Sequence, residues 1–399
     1  MIETHMNRRN FLRAGASALA CAALPAGTAS LAFAAAPPSA TLRGYRNVLV
    51  LIELKGGNDG FNTLVPYASS TYYALRPKIA VARDSVVQLD DRVGLHPSLA
   101  PLLPYWKDKQ LAVLQGVGYP DPNLSHFRSI EIWDTASKSE EYLSDGWLTR
   151  TFARTRTPRT FAADGVIIGS NDLGPLAGGG TRAVALADTD AFLRQSRLAA
   201  SEGQSTNKAL AHILKVEADV MQAANGFSSH RDFKTIFPDG AFGKAIKTAA
   251  QVIANPSGVA VVRVSLSGFD THGGQIATQS RLLGEVAQGI VALESALTEL
   301  GRWDETLVLT YAEFGRRPKE NLSNGTDHGT ANAHFALGGR VRGGMYGAYP
   351  ALDRLRGDGN VDYAIDFRGI YATALERWWG LPSAPVLGGR FEPLPFVSA

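Results

Sequence analysis

Hydrophobic residues in this chain come in short unbroken blocks separated by polar, glycine-rich loops. Residues 47–54 (NVLVLIEL) form such a block and end abruptly in Lys55-Gly56-Gly57-Asn58-Asp59-Gly60. Apolar runs without alternation predict strands covered on both faces, and the clustered turn formers predict a sharp exit. Residues 111–117, 259–266 and 306–311 repeat the pattern. Between the last two, residues 280–300 place apolar side chains at 282, 283, 286, 290, 293, 297 and 300, close to the period of a helix. Shorter helices are predicted over 99–106, 128–135 and 242–253. Residues 157–180, rich in Gly and Ala, read as a strand with a long irregular connection. Residues 183–224 read as helical, so 180–255 is a candidate helical insertion or cap. Strands alternating with helices predict an α/β fold: a mainly parallel sheet with helices on both faces. In such sheets functional groups gather at the carboxyl ends of the strands.

The amino terminus has a different character. Asn7-Arg8-Arg9-Asn10-Phe11-Leu12-Arg13 precedes an uncharged, alanine-rich run that ends in small residues before Pro37-Pro38. A basic segment, an apolar segment and a small-x-small site predict a secretory signal over 1–36, and the arginine pair selects the twin-arginine route. The expected partner during export is the twin-arginine translocase, and the expected location is the periplasm. A linker over 37–45 and one domain over 46–399 would follow. Cys21 is the only cysteine, so no disulfide is expected beyond the signal. Leu19 sits one place too close to Cys21 for a lipoprotein site, and lipid anchoring is not expected.

Composition adds one exclusion. Apolar residues make up 45% and charged residues 19% of the chain, which fits an ordinary globular protein. The formal charge of +3 comes partly from the signal arginines. No cluster of Lys and Arg is interleaved with aromatics, so no nucleic-acid partner is expected.

The candidate chemistry lies where strands end. Asn58-Asp59 follows the first strand, Ser125-His126 the second, Asp270-Thr271-His272 the third and Glu313 the fourth. Asp327-His328 and His334 come soon after. Carboxylates and imidazoles converging at one sheet edge are what a divalent metal needs: hard anionic oxygens plus neutral nitrogens. Each piece also has a plainer reading. Asn-Asp-Gly is a common turn, Asp270 or Ser125 can cap a helix, and Glu313 can pair with Arg316 or Arg317. His96, before a proline, reads as structural.

The stretches ELKGGNDGFNTLVP (53–66), LSHFRSIEIW (124–133), GFDTHGGQ (268–275), YAEFGRRPKENLSNGTDHG (311–329) and GGMYGAYPAL (343–352) resemble the DUF1501 family of exported bacterial proteins. The resemblance covers nearly the whole chain after the signal. It implies an alkaline-phosphatase-like or sulfatase-like core with a metal site at the strand ends. By that resemblance Asp59, Asp270, His272, Glu313, Asp327 and His328 are candidate metal ligands, and Ser125 stands where the nucleophile would. Two departures are visible: Asp270 and His272 are separated by one residue rather than three, and Phe314 replaces an imidazole. A second metal position is therefore weakened.

The function expected is an exported metal-dependent hydrolase of a phosphate or sulfate ester, with a small molecule or glycan as substrate and Zn, Mn, Ca or Mg as cofactor. Ser125 or an activated water would attack, His126 or His334 would protonate the leaving group, and Arg316 would bind the anionic oxygens. The alternative is a non-catalytic periplasmic binding or scaffold protein that keeps the fold.

Overall fold

The computed structural model describes residues 44–186, 218–219, 221–225 and 231–397. Residues 1–36, expected to be a secretory signal and including Cys21, lie outside them. The first apolar block forms β1 (Val48–Lys55), whose residues are buried up to the terminal lysine. Further strands are β2 (Leu111–Gly118), β3 (Gly165–Ile168), β4 (Ala183–Leu186), β5 (Val261–Ser267), β6 (Thr306–Tyr311), β7 (Asn332–Leu337), β8 (Gly344–Tyr346) and β9 (Ile365–Asp366). They make one sheet in the order β8-β2-β7-β6-β1-β5-β3-β4, with β9 also pairing β2. β1 lies centrally and pairs in parallel with β5 and β6. Parallel pairing continues through β3 to β4. β7 runs antiparallel between β2 and β6. The sheet is thus mainly parallel, as its apolar blocks require.

Alternate residues of β1 face two cores. Val48, Val50, Ile52 and Leu54 point to the side covered by α3 (Gly240–Ala254) and α4 (Gln275–Glu299). Leu49 and Leu51 point to the other, with Trp133 of α1 (His126–Thr135), Leu148 of α2 (Trp147–Arg154) and Tyr371 of α5 (Phe367–Thr373). Helices on both faces explain why β1 has no polar alternation. Among the described residues no helix is long and apolar enough to cross a membrane.

Three expectations change. Residues 183–186, read as helical, form β4 and hydrogen-bond alongside β3. At the other end of the presumed cap, α3 packs into the apolar layer of the sheet. Both described flanks of 180–255 therefore belong to the core, while residues 187–217 lie outside the description. Residues 332–337, not read as an element, form β7, which closes the gap between β2 and β6. The 99–106 segment is a 3₁₀ turn, Pro97–Leu102, followed by a short helix, Leu103–Lys107. Pro101 and Pro104 interrupt the amide ladder there.

β7 also carries His334 into the interior. Its ring packs edge-on against Trp133 at 5.5 Å, and neither ring nitrogen has a hydrogen-bond partner. His334 cannot reach a leaving group from there, which corrects its expected role as a proton donor. Burial pushes it down to about 3 and His96 down to about 4, below the ordinary 6.5. The folded chain therefore binds fewer protons than the unfolded chain once pH falls below that ordinary value. Stability should be complete above it and decline as pH drops towards the folded values. We expect unfolding free energy from urea titrations to fall between pH 7 and pH 4, by on the order of 3 kcal/mol for His334 alone. His334→Leu should flatten that slope; an unchanged slope would show that His334 does not set it.

Candidate metal centre

The loop leaving β1 can turn sharply because Gly56 and Gly57 adopt φ of 117° and 77°. A Cβ on Gly56 would meet the backbone nitrogen of Asp270 at 2.4 Å, and one on Gly57 would meet the Phe314 ring at 2.3 Å. Glycine at both places lets the exit of β1 pack on the backbone of the loop after β5 and on the Phe314 ring of the loop after β6. Arg316 then ties them together. Its guanidinium is fully buried. It donates to Gly57 O at 2.6 Å, Thr326 O at 2.9 Å, Phe269 O at 3.1 Å and Gly56 O. Its remaining reach is to Asp270 Oδ1 at 2.7 Å.

Around Asp270 stand three imidazoles. His126 Nε2 lies 3.4 Å from Oδ2; His272 Nε2 and His328 Nε2 lie 3.1 and 3.3 Å from Oδ1. Each ring has an oxygen behind its other nitrogen. Glu313 Oε1 is 2.9 Å from His126 Nδ1, and Leu124 O is 2.7 Å from His328 Nδ1. Asp327 Oδ1 is 3.5 Å from His272 Nδ1. A carbonyl can only accept, so His328 carries its proton on Nδ1 and presents a lone pair at Nε2. Facing it at 2.9 Å is His272 Nε2. A proton on His272 Nε2, or a cation between the two nitrogens, satisfies that contact. His126, Asp270 and His328 offer donor atoms all within 4.8 Å of one another, a group able to hold a metal ion. The donor set of imidazole nitrogens and one carboxylate suits a borderline divalent ion.

The electrostatics follow the packing. The hydrogen bond from His126 Nδ1 to the Glu313 carboxylate raises the pKa of His126 and, with the charges of Glu313 and Asp270, prevails over partial burial. Burial alone would push Asp270 up, but the hydrogen bond and charge of Arg316, with His328 and His272, hold it below the usual range. Burial lowers His328. The Asn321 hydrogen bond, then His272, lowers Asp327. Phe314 forms an apolar floor, its ring 4.9 Å from His126 and 4.4 Å from His328.

Residues 46–386 match the family described as "Protein of unknown function (DUF1501)". The chain belongs to the DUF1501 family. No curated protein matches it. Among solved structures it is similar to the PsFucS1 sulfatase from Pseudoalteromonas sp., at 11% identity and a TM-score of 0.38, over 90% of this chain and 74% of that one. It is also similar to the C-terminal periplasmic domain of EcEptC from Escherichia coli, at 9% identity and 0.38, over 88% and 91%. A third similarity is to TAB5 alkaline phosphatase, at 13% identity and 0.34, over 75% and 94%. At these values the chemistry has to be argued from the DUF1501 chain's own residues.

Those residues divide into three groups. Asp270, His272, His328 and His126 meet, although His126 was expected only as an acid. Glu313 and Asp327 stand behind imidazoles rather than beside the donor atoms. Asp59 and Arg316 are withdrawn. Asp59 is buried in an ion pair with Arg76 at 2.5 Å, accepts from Gln275 Nε2 at 2.5 Å and caps the turn Gly60–Thr63. A carboxylate so fully occupied has no lone pair left for a metal. Arg316 spends its donors on carbonyls and Asp270, so it cannot grip a substrate anion. Ser125 sits exposed at the start of α1, where its hydroxyl makes no cap hydrogen bond. Sequence reasoning missed Arg76, 17 residues from its partner, and the carbonyl of Leu124, which no residue type announces.

The clamp sets a prediction. Arg316→Met leaves carbonyls from three loops without donors and should cost about 3–5 kcal/mol. Chemical denaturation measures it; a loss below about 1 kcal/mol would show that those carbonyls are satisfied otherwise.

Proposed function

We propose that this protein is a metal-dependent hydrolase of a phosphate or sulfate ester, exported through the twin-arginine translocase and working in the periplasm. The observation that supports it best is the paired arrangement of the imidazoles. Each ring has an oxygen behind Nδ1 and turns Nε2 towards Asp270. Oxygen acceptors behind ligating imidazoles fix tautomer and orientation at metal sites. A donor set of two or three imidazoles and a carboxylate favours Zn or Mn over the harder Mg and Ca. When bound, the ion would polarise the ester and make a nearby water or hydroxyl more acidic.

The chain's own residues would do the rest. Arg316 and the loops it clamps keep Asp270 in place. Glu313, at His126 Nδ1, keeps that ring oriented with Nε2 towards Asp270. Phe314 excludes water beneath the rings. The nucleophile is Ser125 or water. In hydrolysis the bond from phosphorus or sulfur to the bridging oxygen breaks, water supplies the new oxygen, and the released alcohol takes up a proton.

One observation favours the second reading, a non-catalytic binding protein. With Arg316 engaged by carbonyls, the cluster has no free guanidinium to hold an anionic oxygen.

Elemental analysis separates the two. Protein purified from the periplasm without chelator should carry about one Zn or Mn per chain, lost in His328→Ala and Asp270→Ala. Ester hydrolysis should fall by at least about 100-fold in both, on the scale by which metal catalysis and its oriented ligands act. Ser125→Ala should abolish turnover if serine attacks and preserve it if water does. Folded, metal-free wild-type protein would overturn the hydrolase.

A further inference from the structure

A cavity of about 680 Å³ lies beside the β8 edge of the main sheet. It is lined by Gln115 of β2, Met345 of β8 and Tyr349. Pro66 and Val93 complete the wall, and they adjoin the small antiparallel sheet that pairs Leu64–Val65 with Gly94–Leu95. Tyr349 joins the two parts, because its hydroxyl donates to Leu64 O at 3.1 Å. The volume falls within the range of about 300–1,000 Å³ that small-molecule sites occupy. None of the lining residues belongs to the cluster around Asp270.

The cavity has one polar group built into its wall. Gln115 is the only polar side chain of β2. It sits at a bulge: Leu114 pairs with His334 and Val117 with Asn332, so Gln115 and Gly116 together face Ala333. Gly116 takes a φ of 63°, which a bulge of this kind readily gives to glycine. Bulges re-aim side chains, and they recur next to functional sites. Gln115 is only 6% exposed. Its Nε2 donates to Gly347 O at 3.3 Å. A carbonyl only accepts, so the amide nitrogen belongs there and Oε1 is left as an acceptor. Among the described residues nothing donates to that oxygen. Gly347, at a φ of 78°, keeps the turn after β8 close, since a Cβ there would meet Gln115 O at 2.6 Å. A buried acceptor in an apolar wall calls for a donor from the cavity.

The lining narrows the kind of donor. Its charged residues are Asp90 and Arg92, of opposite sign, so the wall offers no net charge to compensate a buried ion. Arg92 is 80% exposed along its side chain and stays with solvent. Asp90 is half-buried; its Oδ1 accepts from Arg92 N at 2.9 Å and Val93 N at 2.8 Å, which leaves Oδ2 as a second acceptor. A purely apolar guest would leave Gln115 unsatisfied. A neutral guest with apolar faces and several hydroxyl donors meets both demands. We propose that this cavity is a saccharide-binding site, with sugar hydroxyls donating to Gln115 Oε1 and Asp90 Oδ2 and the ring packing on Tyr349, Met345 and Pro66. The site does not depend on the hydrolase reading, because it shares no residue with the cluster.

Calorimetry on the full chain tests it with maltose, cellobiose and N,N′-diacetylchitobiose. Choline, a cation, and cyclohexanol, a ring with one hydroxyl, serve as comparisons. We expect at least one disaccharide to bind with a Kd of about 1 mM or tighter and neither comparison compound to do so. Gln115→Leu should weaken that binding by about tenfold or more. Ala348 also lines the cavity and is exposed. Ala348→Trp should therefore obstruct the mouth and abolish binding while leaving β2 intact. Urea titration checks that both variants fold; if Gln115→Leu does not, Ala348→Trp decides. A chelator should leave the Kd unchanged, which keeps this outcome separate from that of the metal cluster. No disaccharide bound, or binding that survives both variants, would overturn the proposal. Choline bound instead, and lost in Ala348→Trp, would mark a cation site and overturn it as well.

Discussion

The buried guanidinium of Arg316 holds the strand-end loops of this fold together. Loops that leave parallel strands expose carbonyls, and at a crowded strand edge those carbonyls become buried without amide partners. Arg316 supplies donors to carbonyls from three such loops at once and still reaches Asp270. Its rigid fork suits that task where the single ammonium of a lysine would not. The consequence reaches outward. Asp270 is held from beneath, the loop carrying His328 is fixed through Thr326, and the two glycines after β1 can press against Phe269, Asp270 and Phe314.

On that base the site is built as two shells of opposite polarity. The inner shell is Asp270 with inward-facing imidazole nitrogens; the outer shell is oxygen from Glu313, Leu124 and Asp327. The outer shell decides which nitrogen of His328 carries the proton, and with it which nitrogen faces the centre. Without those acceptors the rings would be free to flip, and a donor set would exist in composition without existing in geometry. The apolar floor of Phe314 serves the same end, since it bars a competing water from beneath.

Asp59 shows the same residue type put to the opposite use. It follows β1 at a strand end, where a ligand would be sought, yet Arg76 and Gln275 meet it in the interior. Burial next to a guanidinium makes it a structural anchor for the turn that starts at Gly60. The difference from Asp270 is exposure. Asp270 also pairs with a buried arginine, but its side chain is 45% accessible and keeps an oxygen turned to the imidazoles. The hydrolase reading and the binding-protein reading divide on this economy of charge, because one arginine that might have met an anion is committed to carbonyls and the other to Asp59.

The sequence by itself determined the sheet and its edge. Unbroken apolar blocks such as residues 48–54 predict strands covered on both faces, and their polar exits put Asp270 and Glu313 at the carboxyl edge of the sheet. Those are local consequences of hydrophobic burial and turn chemistry. The family was legible too, because its motifs are spread over residues 53–352. What the sequence could not settle was which polar residue faces the centre, which stands behind and which is sealed away. Asp59, Glu313 and Arg316 carry the right chemistry for a site, and only tertiary contacts with Arg76, His126 and distant carbonyls assign their roles. β4 and β7 were hidden for a related reason. Ala183–Leu186 and Asn332–Leu337 have weak or mixed patterns of their own, and they become strands because neighbouring strands offer them a ladder of unpaired amides and carbonyls.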